Sequence, residues 1–152
     1  MGGGESSRPS PFHTIRTMAN LKLLKTDTAK ESEGVWVDWE LDVKLRIARM
    51  GNPAFDAMMK RLSQPHLKKV RDRSIEGDEA LEAVIVEAAA HTLLVGWKNI
   101  EDENGKAIKY SAKKAYEFFK DDGLRDLYKF VLSQANDAAQ YRQSLDEDAA
   151  GN

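Results

Sequence analysis

The sequence contains no cysteine, which excludes disulfide bonds, thiolate metal sites and a cysteine nucleophile. It has no apolar run approaching the roughly 20 residues that a membrane-spanning helix needs, and its first residues lack the apolar stretch of a signal peptide. Neither sign of charge dominates, because 23 basic residues face 25 acidic ones. That balance disfavours nucleic acid and anionic membranes as partners. Together these absences predict a soluble protein of a reducing cytosol.

Side chains that could perform chemistry are few and scattered. The three histidines are His13, His66 and His91; His91 follows Glu87 by four residues, but a zinc site needs at least three protein ligands. The segment 102–105 lacks the alternating carboxylates of a calcium loop. The sequence also lacks a glycine-rich phosphate loop and a nucleophile motif. We therefore expect no metal, no cofactor, no catalytic residue and no enzymatic activity.

The chain is long enough for one domain. It has 152 residues, 41% of them hydrophobic, which suffices for a single core. Residues 1–17 are rich in Gly, Ser and Pro, so we expect a disordered leader, or a remnant added to the natural sequence, before Met18. Residues 18–145 are predicted to form the globular domain, and residues 146–152 a flexible acidic tail.

Strand-like patterns come first along the chain. Residues 35–39 are rich in β-branched and aromatic side chains, and residues 43–49 alternate apolar with basic ones. Alternation with period two places Val43, Leu45 and Ile47 on one buried face. The short polar link at 40–42 then predicts a β-hairpin, which needs further packing to be stable.

Helical patterns follow the hairpin. Asn52 as the N-cap and Pro53 at the first helical position predict a helix start, and Pro65 should end or kink that helix. Residues 78–97 are apolar on two sides, so we expect a central buried helix with Gly96 near its end. Later signals are the Asn104-Gly105 turn, a Ser111 cap and a break at Gly123.

The predicted fold class is therefore mainly α (α+β), with an N-terminal β-hairpin and four or five helices packed around the helix at about 78–97. Some residues of these patterns are expected to serve the core or the turns rather than a partner. They are Trp36, Pro53, Gly96, Trp97, Asn104 and Gly105.

Two features could bind a partner. Residues 60–73 concentrate basic side chains, chiefly Lys68, Lys69, Arg71 and Arg73. They suit an acidic protein or nucleic acid, but the absence of neighbouring aromatic rings favours a merely solvated edge. The adjacent Phe118 and Phe119 lie about 100° apart on a helix, so we expect one of them to be exposed for a partner or for self-association.

Short segments with recognisable motifs recur in a fixed order along the chain. The most specific part is the succession Gly-Trp-x-Asn-Ile, Asp-x-x-Gly and Tyr-Ser, with a helix on either side. The segments are Gly34–Val37, Ile47–Pro53, Leu94–Ile100, Asp102–Gly105, Ile108–Ser111 and Leu124–Leu127. In this order they resemble the tail assembly chaperones of long-tailed bacteriophages.

The resemblance implies a small helical protein in the cytoplasm of the infected bacterium. Such a protein binds the tape measure protein, keeps that long apolar chain soluble, helps tail tube subunits assemble around it and is absent from the mature virion. The resemblance supplies no catalytic residue and no binding motif to transfer. Two alternatives stay open: a structural tail or neck protein retained in the virion, and a small phage protein that binds a host factor through residues 60–73.

Overall fold

The computed structural model describes residues 18–143. The predicted leader (1–17) and acidic tail (146–152) lie outside the described residues. Those residues fall into two units. The described part of the first, residues 18–25 and 142–143, contains the short helix α1 (Leu21–Leu24), capped by the Asn20 side chain. The second unit, residues 26–141, contains every element discussed below, and the domain boundary at 145 stays a prediction.

The predicted hairpin is confirmed, and it belongs to a larger sheet. Strand β1 (Val35–Asp38) pairs antiparallel with β2 (Lys44–Ile47). A third strand, β3 (Leu94–Lys98), pairs antiparallel with the other side of β2, so the order in this sheet is β1-β2-β3. Leu45 and Ile47 are fully buried, as the alternation predicts, because successive side chains of a strand point to opposite faces.

Helices surround the inner face of this sheet. A helix that the sequence patterns did not indicate, α2 (Thr28–Glu33), precedes β1 and is capped by Asp27. Within residues 18–143, five further α-helices follow the hairpin, which confirms the predicted fold class. They are α3 (Pro53–Ser63), α4 (Leu67–Arg71), α5 (Ile75–Thr92), α6 (Ala112–Lys120) and α7 (Arg125–Ala135), with short 3-10 turns at Gln64–His66, Asp122–Leu124 and Ala138–Tyr141.

The predicted central helix was placed wrongly at both ends. It begins at Ile75, because Ser74 accepts a hydrogen bond from Gly77 N, and it ends at Thr92 rather than Trp97. Gly96 therefore lies inside β3 and does not end the helix. The apolar run at 93–97 fits either period, and its pairing with β2 selects the strand.

The core lies between the sheet and the later helices. The last turns of α5 are buried on several sides, including Ala88, Ala89 and Ala90, each 0% exposed, which confirms a central position for this helix. Side chains of β2 and β3 and of helices α6 and α7 complete the same cluster. Because alanine lines this part of α5, neighbouring elements approach its backbone closely.

Asn52 connects the start of α3 to the end of α5. Its side chain is 1% exposed; it accepts from Phe55 N at 3.0 Å and donates to the carbonyl oxygens of Arg49 and Thr92 at 2.8 and 3.1 Å. The predicted cap is therefore confirmed, with Pro53 next to it at the helix start. The same side chain also donates to a carbonyl oxygen at the end of α5, where the last carbonyl groups have no partner within the helix.

Candidate functional site

A groove of about 1010 Å³ opens at one end of the sheet, where β2 begins and β3 ends. One wall is the β1–β2 turn, and the other is the segment after β3. We call it the sheet-end groove. Its lining residues are Leu41, Asp42, Val43, Lys44, Trp97, Lys98, Asn99, Ile100, Glu101, Ala107, Ile108, Lys109 and Tyr110. A lining that combines apolar and aromatic side chains with a few charged ones is usual for a binding cleft.

The second wall is fixed by the predicted Asn104-Gly105 turn. The Asp102 carboxylate accepts from the backbone N–H groups of Asn104 and Lys106, each at 2.9 Å. Gly105 has φ +82°, a conformation that glycine adopts without a steric penalty. These bonds from Asp102 and the positive φ of Gly105 therefore stabilise the predicted turn.

The floor of the groove is an aromatic cluster around Trp97. The Trp97 ring lies 4.9 Å from the Tyr110 ring and is stacked 5.2 Å from that of Phe118. Its Nε1 donates to Ile108 O at 2.8 Å, and Tyr110 Oη donates to Leu94 O at 2.6 Å. At 7% exposure, Trp97 serves the core as predicted, and it also holds the second wall in place.

Alkaline pH should weaken the fold through its tyrosines. Burial raises the pKa of Tyr110, Tyr128 and Tyr141 to about 12 in each case. The unfolded chain loses these protons near the ordinary value of 10.0, so proton release favours unfolding between pH 10 and pH 12. We expect the free energy of unfolding, measured with urea, to fall across that window. In Tyr141→Phe the free energy of unfolding should fall less steeply with pH than in the wild type. A fall as steep as that of the wild type would contradict this explanation.

Leu41 is a large apolar residue of this site whose side chain is exposed rather than buried. It lies on the rim of the groove and is 96% exposed, and its backbone has φ +56°. A leucine in the left-handed region costs roughly 1 kcal/mol, and its exposure gives no hydrophobic stabilisation in return. Strain of this kind clusters at functional positions, so Leu41 is the strongest single indication that the groove binds something.

The predicted basic segment lies elsewhere in the fold. Lys68, Lys69 and Arg71 belong to α4, and Arg73 lies in the turn after it with φ +52°. Lys69 Nζ lies 3.8 Å from a Glu76 carboxylate oxygen. Their binding role stays a prediction, since these residues lie outside the lining of the sheet-end groove.

Two other predictions about side-chain exposure differ from the structure. Phe119 is 7% exposed, and Phe118 is half-buried against Trp97, so the expected exposure of one of them is wrong. Their neighbours in the fold bury the Phe119 ring and cover part of the Phe118 ring, although the two side chains point about 100° apart on the helix. Trp36, expected in the core, is 45% exposed, because the register of β1 places it on the outer side of the sheet.

The side of the sheet facing away from the core is a second candidate surface, which sequence reasoning missed. The register aligns Trp36 with Arg46 and Arg46 with Gly96 across the three strands. We call this the outer sheet face. Its residues are Trp36, Asp38, Lys44, Arg46, Gly96 and Lys98. The alternation in β2 already indicated that its basic residues face outward, but the third strand was needed to complete the surface.

Within residues 18–143, no three His, Cys, Asp or Glu side chains are grouped so that they could hold a metal ion. His91 lies on the surface of α5, where its Nδ1 is 2.9 Å from Glu87 O. No helix in the described part of the chain combines the length and apolar character required to cross a membrane.

Comparison with known proteins gives one family. The model of a family described as YdaY prophage protein matches residues 50–152, about two thirds of the chain. The match includes β3 and the turn after it, so one wall of the sheet-end groove lies inside it. No curated protein and no solved structure matches the chain.

Proposed function

The chain belongs to the YdaY prophage protein family, and from that membership, together with the segment series in residues 34–127, we propose that it is a phage tail assembly chaperone. In this role it binds the tape measure protein in the host cytoplasm, keeps it soluble and promotes assembly of tail tube subunits around it. The role is non-enzymatic, needs no cofactor and ends before the virion is complete.

The position of the segment series supports this proposal. Residues of Leu94–Ile100 and Ile108–Ser111, which contribute to the resemblance, also line the sheet-end groove. Asn99, with φ +67°, donates from Nδ2 to Asp42 O at 2.8 Å and so joins the two walls. The segments that suggested a chaperone therefore contribute to a cleft whose lining includes apolar and aromatic side chains, which suit an apolar client.

Leu41 is the observation that carries the proposal. An exposed leucine in a strained conformation reduces stability, and a partner that covers it recovers roughly 1.5–3 kcal/mol from burial. Since the rim position is open, an extended apolar segment of the tape measure protein can lie across Leu41 and enter the groove. Charged residues on both walls, such as Lys44 and Glu101, would form the polar rim of that contact.

The test uses co-expression with the tape measure protein and co-purification of the two. The wild-type chain should recover the tape measure protein in soluble form, and Leu41→Asn should recover at least about tenfold less, because an anchor residue is lost. Asn tolerates the left-handed region, so this variant should be as stable as the wild type or more stable. Ile75→Asn is the matched control, since Ile75 is 78% exposed and lies away from the groove.

Several results would contradict the proposal. Failure of the wild-type pair to associate, with tails still assembling after deletion of the gene, would exclude the chaperone role. Equal recovery with Leu41→Asn and the wild type would exclude the groove as the binding site. Abundant, stoichiometric copies in purified virions, measured by mass spectrometry, would instead indicate a structural tail or neck protein.

A further inference from the structure

We propose that the outer sheet face and the free edge of β1 bind an extended acidic segment of a partner protein, which adds to the sheet as a fourth strand beside β1. This surface shares Lys44 and Lys98 with the lining of the groove but not the aromatic floor, and the proposal does not depend on which protein enters the groove. It rests on three observations: an unsatisfied arginine, an anchored tryptophan and an unpaired strand edge.

Arg46 is the first observation. Among the residues that the structure describes, its Nε is the buried side-chain nitrogen or oxygen that has no hydrogen-bond partner. A buried donor without an acceptor is costly, and native proteins rarely retain one. A carboxylate can accept from the terminal nitrogens of the same guanidinium in a short, charge-assisted contact that offsets this cost. Arg46 therefore points to an anionic ligand.

Charge on the rest of the surface agrees with an acidic ligand. Lys44 and Lys98 face each other across β2 and β3, so two like charges lie beside Arg46 without a carboxylate between them on the strands. Asp38 is the acidic residue of this face, and it pairs with Lys44 at 2.6 Å. The outer sheet face thus carries three cations and one anion, although the whole chain has a net charge of −2.

Trp36 is the second observation. Its ring is 45% exposed, but it is held in place from two sides. The Lys98 ammonium lies 4.5 Å from the ring centroid, and a Cβ placed on Gly96 would lie 3.5 Å from the Trp36 Cη2 atom. A large aromatic ring that is already ordered loses little entropy on binding, and tryptophan and arginine are the residues most enriched among binding hot spots.

The strand edge is the third observation, and it favours a peptide over nucleic acid. In the described residues, β1 pairs with β2 on one side and with no strand on the other. Its unpaired N–H and C=O groups can form main-chain hydrogen bonds to an added strand, whereas nucleic acid has no matching ladder. A strand with an acidic residue at every second position would direct its carboxylates toward the outer sheet face, because side chains alternate.

The test measures fluorescence anisotropy of a labelled peptide that alternates Glu and Val, titrated with the intact chain. We expect saturable binding that weakens as salt rises, and no binding of the matching peptide that alternates Lys and Val. N-methylation of alternate backbone amides along one edge leaves the charge intact and should abolish binding. Equal binding of the methylated peptide, or tighter binding of an oligothymidylate, would overturn the proposal.

Variants locate the site. Trp36→Ala should weaken binding of the Glu-Val peptide about 30-fold, as hot-spot truncations do. Arg46→Gln should weaken this binding at least about tenfold, because its charge-assisted bonds are lost. Lys129→Gln, an exposed cation on α7, is the control and should leave affinity unchanged. Should Arg46→Gln fail to fold, Lys98→Gln at the edge of the same face should weaken binding about two- to fivefold. Wild-type affinity in folded Trp36→Ala would overturn the assignment.

Discussion

Gly77→Ala should lower the free energy of unfolding by about 3 kcal/mol, because it creates a clash that no rotamer change can relieve. Gly77 lies in the first turns of α5 and is buried against α4. A Cβ there would lie 2.2 Å from Lys69 O and 2.8 Å from Val70 N. Both are backbone atoms, so α4 would have to move away as a unit.

Urea unfolding measures this effect, and Gly51→Ala is the matched control. Gly51 has φ +83°, and a Cβ there would meet nothing within 4 Å. That substitution therefore imposes only backbone strain, roughly 1–2 kcal/mol. Gly77→Ala should cost clearly more although its own backbone is helical, where alanine is normally favoured. A loss no larger than that of Gly51→Ala would contradict the close packing of α4 on α5.

Rules that act within a few residues predicted much of the fold. The cap at Asn52 with Pro53, the cap at Ser111 and the turn at Asn104-Gly105 are all confirmed. Each depends on a side chain bonding to its own backbone or on a local φ preference, so the neighbouring sequence determines it. The alternation in β2 likewise predicted which side chains are buried.

Features that depend on distant pairing escaped prediction. The run 93–97 has strand character only because β2 is available to pair with it. Gly77 looks like an ordinary weak point of a helix until α4 packs against it. The short helix at Thr28–Glu33 has too few residues to show a period. The first two features depend on a contact with another element of the fold. The third is a helix too short to show a pattern.

Both candidate surfaces escaped sequence reasoning for the same reason. The walls of the sheet-end groove meet through Asn99 and Asp42, which no local rule connects. The outer sheet face needs the register of all three strands before Trp36, Arg46 and Lys98 become neighbours. The sequence did not single out Leu41. Its positive φ and its exposure are what make this leucine unusual, and both are known only from the structure.

Trp97→Ala should lower the free energy of unfolding by about 4 kcal/mol, the cost of removing a large buried ring. The ring contacts Tyr110 and Phe118, and its N–H satisfies Ile108 O. Trp97→Phe keeps an aromatic ring in the cluster but leaves that carbonyl without its donor, so it should cost about 1.5 kcal/mol. The order of the two losses separates ring packing from the hydrogen bond.

Trp36→Ala provides the matched control, since it removes the same side chain from the same sheet. Trp36 is 45% exposed whereas Trp97 is 7% exposed, so we expect Trp36→Ala to cost less than about 1 kcal/mol, as most exposed positions do. Urea unfolding of the three variants gives the comparison. Equal losses at the two positions would mean that Trp97 does not close the core. If the losses differ as expected, Trp97 holds the groove floor as part of the fold, whereas Trp36 contributes little to its stability.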